Sequence, residues 1–160
     1  MDVLLREAVP ADSQFVFDVR RQAFRNYIEL AFEWDEDREI KRHEERFNRQ
    51  RFRIITAESA DVGYMATAVY SATPDFPPSL YLHQLMLLPA FHSRGIGSAC
   101  LRLLANEART LSLPIRLRVL RVNPRAFAFY VAFGFETVDE SDSHLTLEWP
   151  TPLQTRNTRA

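Results

Sequence analysis

LYLHQLMLLPAFHSRGIGSACL, residues 80–101, carries the reading of the whole chain. Leu80 to Leu88 is an apolar, β-rich run stopped by Pro89. His92-Ser93-Arg94-Gly95-Ile96-Gly97-Ser98-Ala99 follows and holds two of the chain's four glycines. From Ile96 onward Ala99, Cys100, Leu103, Leu104, Ala108 and Leu111 recur at three- and four-residue spacing, the mark of one helix face. A strand, a glycine turn and a helix N-terminus together let backbone N–H groups point at an anion. A nucleotide P-loop would need Lys-Ser/Thr after the second glycine, and here Ser98-Ala99 stands there. A dinucleotide fingerprint would need a third small residue where Cys100 lies, and an acidic end to the next strand, which Arg121 and Val122 occupy. A tight strand-to-helix connection with no ligand explains the same two glycines.

Working outward, VLLREA (3–8) reads as an edge strand ended by Pro10. Asp12 or Ser13 is placed to cap a first helix whose stripe is Val16, Val19, Ala23, Tyr27 and Leu30, running to about Phe32. A second helix from about Asp35 has an acidic first turn and a basic last turn, as the helix dipole favours. Ile40, His43 and Phe47 are its expected inward face, and its dense mixed charge reads as solvated surface. FRIITA (52–57) and VGYMATAVY (62–70) form a hairpin turning at Ser59-Ala60-Asp61. TPDFPP (73–78) reads as a loop. IRLRVLRV (115–122) alternates, with Ile115, Leu117, Val119 and Arg121 on one face and Leu120 on the other. Pro124 suits the first turn of a fourth helix ending at Gly134. Phe135–Val138 and His144–Trp149 close the chain as a hairpin. The order β, α, α, β, β, β, α, β, α, β, β predicts a mixed α/β (α+β) fold, a central mixed sheet of about seven strands flanked by four helices. Residues 1–150 are expected as one domain, and residues 151–160 as a disordered polar tail.

Composition sets bounds. The 160 residues suffice for a real core, and 46% hydrophobic with 26% charged residues is a soluble globular profile. A net charge of −1 without a basic block does not suggest a nucleic-acid partner. The single cysteine, Cys100, excludes an internal disulfide framework and fits a reducing compartment. No cationic start precedes an apolar core, and no run approaches the ~20 apolar residues of a membrane span. A cytoplasmic protein that does not engage a membrane is expected. The exposed arginines and the tail fit a monomer or a homodimer alike.

A second unusual stretch is Asn123-Pro124-Arg125-Ala126-Phe127-Ala128-Phe129-Tyr130-Val131-Ala132-Phe133-Gly134-Phe135. With LHQLMLLPAFHSRGIGSACL upstream, it resembles the GNAT superfamily of acyl-CoA N-acyltransferases. The first segment is similar to that family's Gln/Arg-x-x-Gly-x-Gly/Ala loop for the acetyl-CoA pyrophosphate, with His92 at the family's first Gln/Arg and Arg94 before Gly95. The second is similar to its Asn-x-x-Ala-x-x-x-Tyr-x-x-x-Gly-Phe helix. A weaker likeness covers residues 3–149, including Val62-Gly63-Tyr64. The resemblance implies a GNAT-like acyl-CoA N-acyltransferase fold and an N-acetyltransferase that moves acetyl from acetyl-CoA to a primary amine by direct attack in a ternary complex. No metal is expected. The alternative is a non-catalytic acyl-CoA-binding or regulatory module of the same fold.

The resemblance also implies roles. His92, Arg94, Gly95, Ile96, Gly97 and Ser98 would hold the pyrophosphate, and Leu85, Met86 and Leu87 would offer a strand edge to pantetheine where the fourth and fifth strands diverge. The oxyanion donor would be a backbone N–H near Leu87. Asn123 would contact the cosubstrate, and it serves equally as a helix N-cap. Tyr130 matches the family's general acid, since a tyrosine phenol titrates near pH ~10 and can protonate the leaving thiolate. The family's usual basic glutamate aligns with Tyr81, which cannot act as a carboxylate. His83, two residues on and on the same strand face, is the candidate base. Glu29, Glu33 and Asp35 are alternatives as base or as holders of a cation. Tyr27, Glu29, Trp34 and Tyr81 are the candidate acceptor contacts, for a small-molecule or peptide amine. Cys100 sits on the apolar helix stripe with no spaced activator and reads as a core thiol.

Overall fold

The computed structural model describes residues 2–150, so the tail expected beyond Pro150 lies outside the described residues. Eleven regular elements follow in the expected order. They are β1 (Val3–Glu7), α1 (Ser13–Ala31), α2 (Glu36–Arg49), β2 (Arg51–Ala57), β3 (Ala60–Tyr70), β4 (Ser79–Leu87), α3 (Ile96–Leu111), β5 (Ile115–Leu120), α4 (Pro124–Phe133), β6 (Glu136–Glu140) and β7 (His144–Trp149). The strands form one seven-stranded mixed sheet in the order β1-β2-β3-β4-β5-β7-β6. Two compact units divide the chain, one of residues up to Thr67 with Gln84–Cys100, the other of Ala68–His83 with the residues from Leu101 on.

In the first unit β1, β2 and β3 pair antiparallel. The β2–β3 turn is tighter than the sequence suggested. Ala57 pairs with Ala60, and Glu58 and Ser59 take φ of 52° and 65°. Positive φ at both central residues matches the right-handed strand twist, so the turn closes here and not at 59–61. Strand alternation sends Ile54 and Ile55 to opposite faces. On one face Ile54 packs with Val16, Val19, Phe52, Tyr64 and Ala66, backed by Phe47 and Met86. On the other, Ile55 packs with Ala57, Val62, Ile96 and Cys100, backed by Leu85, Leu87 and Phe91.

Both N-terminal helices keep most of their expected faces, with Val16, Val19 and His43 buried and Phe47 packed on the core, and each departs at one position. The stripe of α1 ends at the buried Ile28, and Leu30 is 68% exposed. Asp12 precedes α1 without capping it; its carboxylate accepts from Arg6 at 2.9 and 3.0 Å and from the Val9 N–H at 2.8 Å. Asp35 does cap α2, accepting from the Arg38 N–H at 3.1 Å. The inward face of α2 carries Glu39 and His43, whereas Ile40 is 40% exposed. Glu39 is buried because Arg20 of α1 donates to its carboxylate at 2.7 Å. The mixed charge of α2 therefore includes a buried ion pair as well as solvated surface.

In the second unit β4 and β5 register in parallel at Leu80↔Ile115 and Tyr81↔Arg116. Beyond, β5 pairs antiparallel with β7 from Ile115↔Trp149 to Leu120↔His144. Ile115, Leu117, Val119 and Leu147 are buried there, as are Leu101, Leu104, Ala105 and Ala108 on α3. Arg121 leaves the expected strand face, since the Arg121 N–H donates to the Ser143 carbonyl at 2.9 Å and its Nε to the Ser141 carbonyl at 2.7 Å. That turn ends β5 at Leu120, which is itself buried. β6 begins at Glu136, one residue later than expected, and all its residues are exposed. Glu136, Asp139 and Glu140 keep this edge strand charged, which discourages edge-to-edge pairing.

Candidate active site

The glycine turn is built within the first unit. After β4, a 3₁₀ turn at Pro89–Phe91 leads to Ser93 with φ of 61° and Gly95 with φ of 81°. A Cβ at Gly95 would meet nothing within 4 Å, so backbone conformation, not space, makes glycine the fitting residue. The Ala99 N–H donates to the Gly95 carbonyl at 3.1 Å, which makes Gly95 the cap of α3. The N–H groups of Ile96, Gly97 and Ser98 are then the helix's first-turn donors, without intrahelical acceptors. They sit at the positive end of a 16-residue helix. Arg94 is exposed, and its guanidinium lies 5.3 Å from the centre of the Phe91 ring.

His92 does something the sequence did not announce. Its Nε2 lies 2.9 Å from the Leu87 carbonyl oxygen, so the imidazole ties the turn to the end of β4. Gly63 supports the same strand from the other side. A Cβ there would fall 2.1 Å from the Met86 carbonyl oxygen and 3.0 Å from the Leu87 Cα. The Leu88 N–H donates to the Val62 carbonyl at 2.9 Å. Leu85, Met86 and Leu87, each partly buried, are thus held by Gly63, Val62 and His92. A lone glycine inside a strand was the available signal for this close approach.

Cys100, one turn into α3, is fully buried, and burial pushes its thiol up to about 12. It stays protonated at neutral pH and is no nucleophile. Among the described residues no group of three His, Cys, Asp or Glu side chains could hold a metal ion.

The N-terminal candidates are engaged locally. Tyr27 meets Phe24 edge-on with centroids 6.0 Å apart, and Glu29 accepts from Arg25 at 2.7 Å. The Trp34 indole N–H donates to Glu36 at 2.8 Å, with Arg25 and Arg20 5.3 and 6.0 Å from its ring. The Glu33 carbonyl accepts from Arg38, and Asp35 caps α2.

In the second unit His83 and Tyr81 come together, with ring centroids 4.6 Å apart. Tyr70, at the end of β3, joins them: its hydroxyl lies 2.8 Å from His83 Nε2 and its ring meets Tyr81 edge-on at 5.9 Å. Burial raises the Tyr81 phenol, and Arg118 and Arg116 nearby partly oppose that. Arg116 donates to Glu148 at 2.7 Å. Tyr70 was not singled out from the sequence, because nothing in a strand-end tyrosine marks the residue opposite it. Asn123 is 8% exposed and accepts from the Ala126 N–H at 3.1 Å, which is its capping role. Tyr130, equally buried, packs edge-on against Phe129 and Phe135 at 5.1 and 5.4 Å. Gly134, with φ of 122°, ends α4 by donating to the Tyr130 and Val131 carbonyls.

Comparison with known proteins agrees with this architecture. A search of curated protein sequences finds no match. Among solved structures the chain is similar to the PaiA N-acetyltransferase of Thermoplasma acidophilum in complex with coenzyme A, at 19% identity and a TM-score of 0.74, covering 94% of this chain and 99% of that one. It is also similar to the ribosomal-protein-S18-alanine N-acetyltransferase of Escherichia coli (18% identity, TM-score 0.67, coverage 93% and 94%). Arabidopsis thaliana Naa50 in complex with the bisubstrate analogue CoA-Ac-MVNAL gives 17% identity, a TM-score of 0.66 and coverage of 93% and 99%. The model of the acetyltransferase (GNAT) family matches residues 15–135. Three-quarters of the sequence thus falls under one family description, and the chain belongs to the acetyltransferase (GNAT) family of acyl-CoA-dependent enzymes.

Proposed function

We propose that this enzyme moves an acetyl group from acetyl-CoA to a primary amine, on a small molecule or a peptide, by direct attack within one ternary complex. The observation that carries the donor half is the Gly95 turn, with positive φ followed by three first-turn N–H donors on a long helix. Such an end receives a pyrophosphate without lysine or metal. The backbone of Leu85–Leu87, held by Gly63 and His92, suits the amides of pantetheine as an added strand would be held. A backbone N–H near Leu87 then donates to the tetrahedral oxyanion.

On the acceptor side His83 takes the proton of the attacking amine, and Tyr81, kept as a neutral phenol by burial, lines the approach. Tyr130 gives its proton to the departing CoA sulfur. Neighbours of this fold include complexes with coenzyme A and with a CoA–peptide conjugate, which supports both the donor and an amine acceptor.

The test is release of free CoA thiol from acetyl-CoA across a panel of amino acids, polyamines and peptides with free N-termini. Turnover with any of them, together with thermal stabilisation by CoA, is the expected result. CoA binding without turnover on the whole panel would mark a non-catalytic acyl-CoA-binding module. Absence of stabilisation by CoA would overturn the donor assignment itself.

A further inference from the structure

Resting on the reading of His83 as base, we infer that Tyr70 is the proton relay through which His83 acts. The Tyr70 hydroxyl and His83 Nε2 are 2.8 Å apart, so the hydroxyl occupies the direction in which that nitrogen would accept a proton. Tyr70 is also the more open partner, at 46% exposed, while His83 is only partly so. Tyr81 contacts both rings, with centroids 5.9 Å from Tyr70 and 4.6 Å from His83, which limits their rotation. A proton bound for Nε2 therefore passes through the phenol oxygen.

The step balances. The amine N–H bond breaks as a proton goes to the Tyr70 oxygen, and the original Tyr70 O–H breaks as its proton goes to Nε2. Tyr70 ends as it began, a neutral phenol, and the imidazole becomes imidazolium. No free phenolate forms, because the phenol gains one proton as it gives up the other. Among the charged and titratable groups near the pair, Tyr81 of β4 packs on both rings, Arg116 and Arg118 of β5 lie near Tyr81, and Glu148 of β7 pairs with Arg116.

Tyr70→Phe keeps the ring contacts and removes the hydroxyl. The expected result is a fall in kcat/KM of roughly 10²-fold, within the usual range for general acid–base groups, with CoA affinity unchanged. In that background His83→Gln should add little further loss, because the two act in one relay. Losses that multiply would overturn the inference, as would an unchanged pH–rate profile in Tyr70→Phe. A second measurement needs no acceptor: side-chain nitrogen NMR of His83 should show a different titration in Tyr70→Phe than in the native protein. Identical titrations would overturn the pairing. If the native protein turns over no amine, acyl transfer as proposed fails, and the NMR comparison alone then decides whether Tyr70 governs His83. If His83→Gln leaves the native pH profile intact, His83 is not the base and the relay falls with it.

Discussion

Tyr130 and Glu39 show how differently two buried polar side chains are used. Tyr130 is 8% exposed among Phe129 and Phe135, surroundings that would suit a core residue and a phenol donating to a thiolate alike. Tyr130→Phe separates these uses by removing one oxygen: kcat should fall roughly 10²-fold with CoA affinity unchanged in a thiol-release assay. A lowered melting temperature with unaltered kcat would show a purely structural tyrosine. Glu39, 2% exposed, accepts from Arg20 at 2.7 Å and lies near enough to Arg46 to interact with its charge. Glu39→Gln leaves a buried guanidinium without its counter-charge and should cost about 3–5 kcal/mol in denaturant unfolding. The sequence showed both residues, yet only Tyr130 stood in a pattern with chemical meaning. Glu39 lay in a run of charges whose single inward member is chosen by the angle at which α2 meets α1.

β4 is the element on which the proposed donor side rests, and its geometry comes from its neighbour. Gly63 lets β3 approach until a Cβ would sit 2.1 Å from the Met86 carbonyl oxygen, which means backbone would have to move. Gly63→Ala should displace Met86 and Leu87, costing roughly 1–3 kcal/mol by overpacking and weakening CoA binding, as calorimetry would show. Unchanged CoA affinity in a folded Gly63→Ala protein would detach this strand from the cosubstrate. At the start of α4, Asn123→Ala removes the bond to the Ala126 N–H. A loss of about 1 kcal/mol in chemical denaturation is expected for a cap alone, and a simultaneous drop in CoA affinity would add the contact that the family resemblance implies. Helix ends and hairpins were legible at this scale because caps, glycines and prolines act through local backbone geometry. The β2–β3 turn was misplaced because Glu58 and Ser59 adopt positive φ without being glycine or asparagine.

For the molecule as a whole, acid sensitivity follows from its histidines. Desolvation lowers His43, which shares a 2.9 Å hydrogen bond with Ser13, and desolvation lowers His144 as well. A histidine with a lowered folded pKa binds its proton more readily when unfolded, so stability is full above the unfolded value near pH ~6.5 and falls as pH drops from there through the folded value. Melting temperature should therefore decline below about pH 6.5, and His43→Gln should flatten that decline; an unaltered slope would remove His43 as its source. Glu7 and Asp12, held below the ordinary carboxylate range by Arg51 and Arg6, lose their contribution only at lower pH. No helix among the described residues is long and apolar enough to cross a membrane. By itself the sequence determined the order of strands and helices, the Gly95 turn and the family, because periodicity, capping and glycine placement are written in neighbouring residues. Only the tertiary structure decided that Glu39 is buried, that Gly63 props β4 and that Tyr70 meets His83. Each of those depends on which strands and helices become neighbours, a matter of packing between residues far apart in the chain.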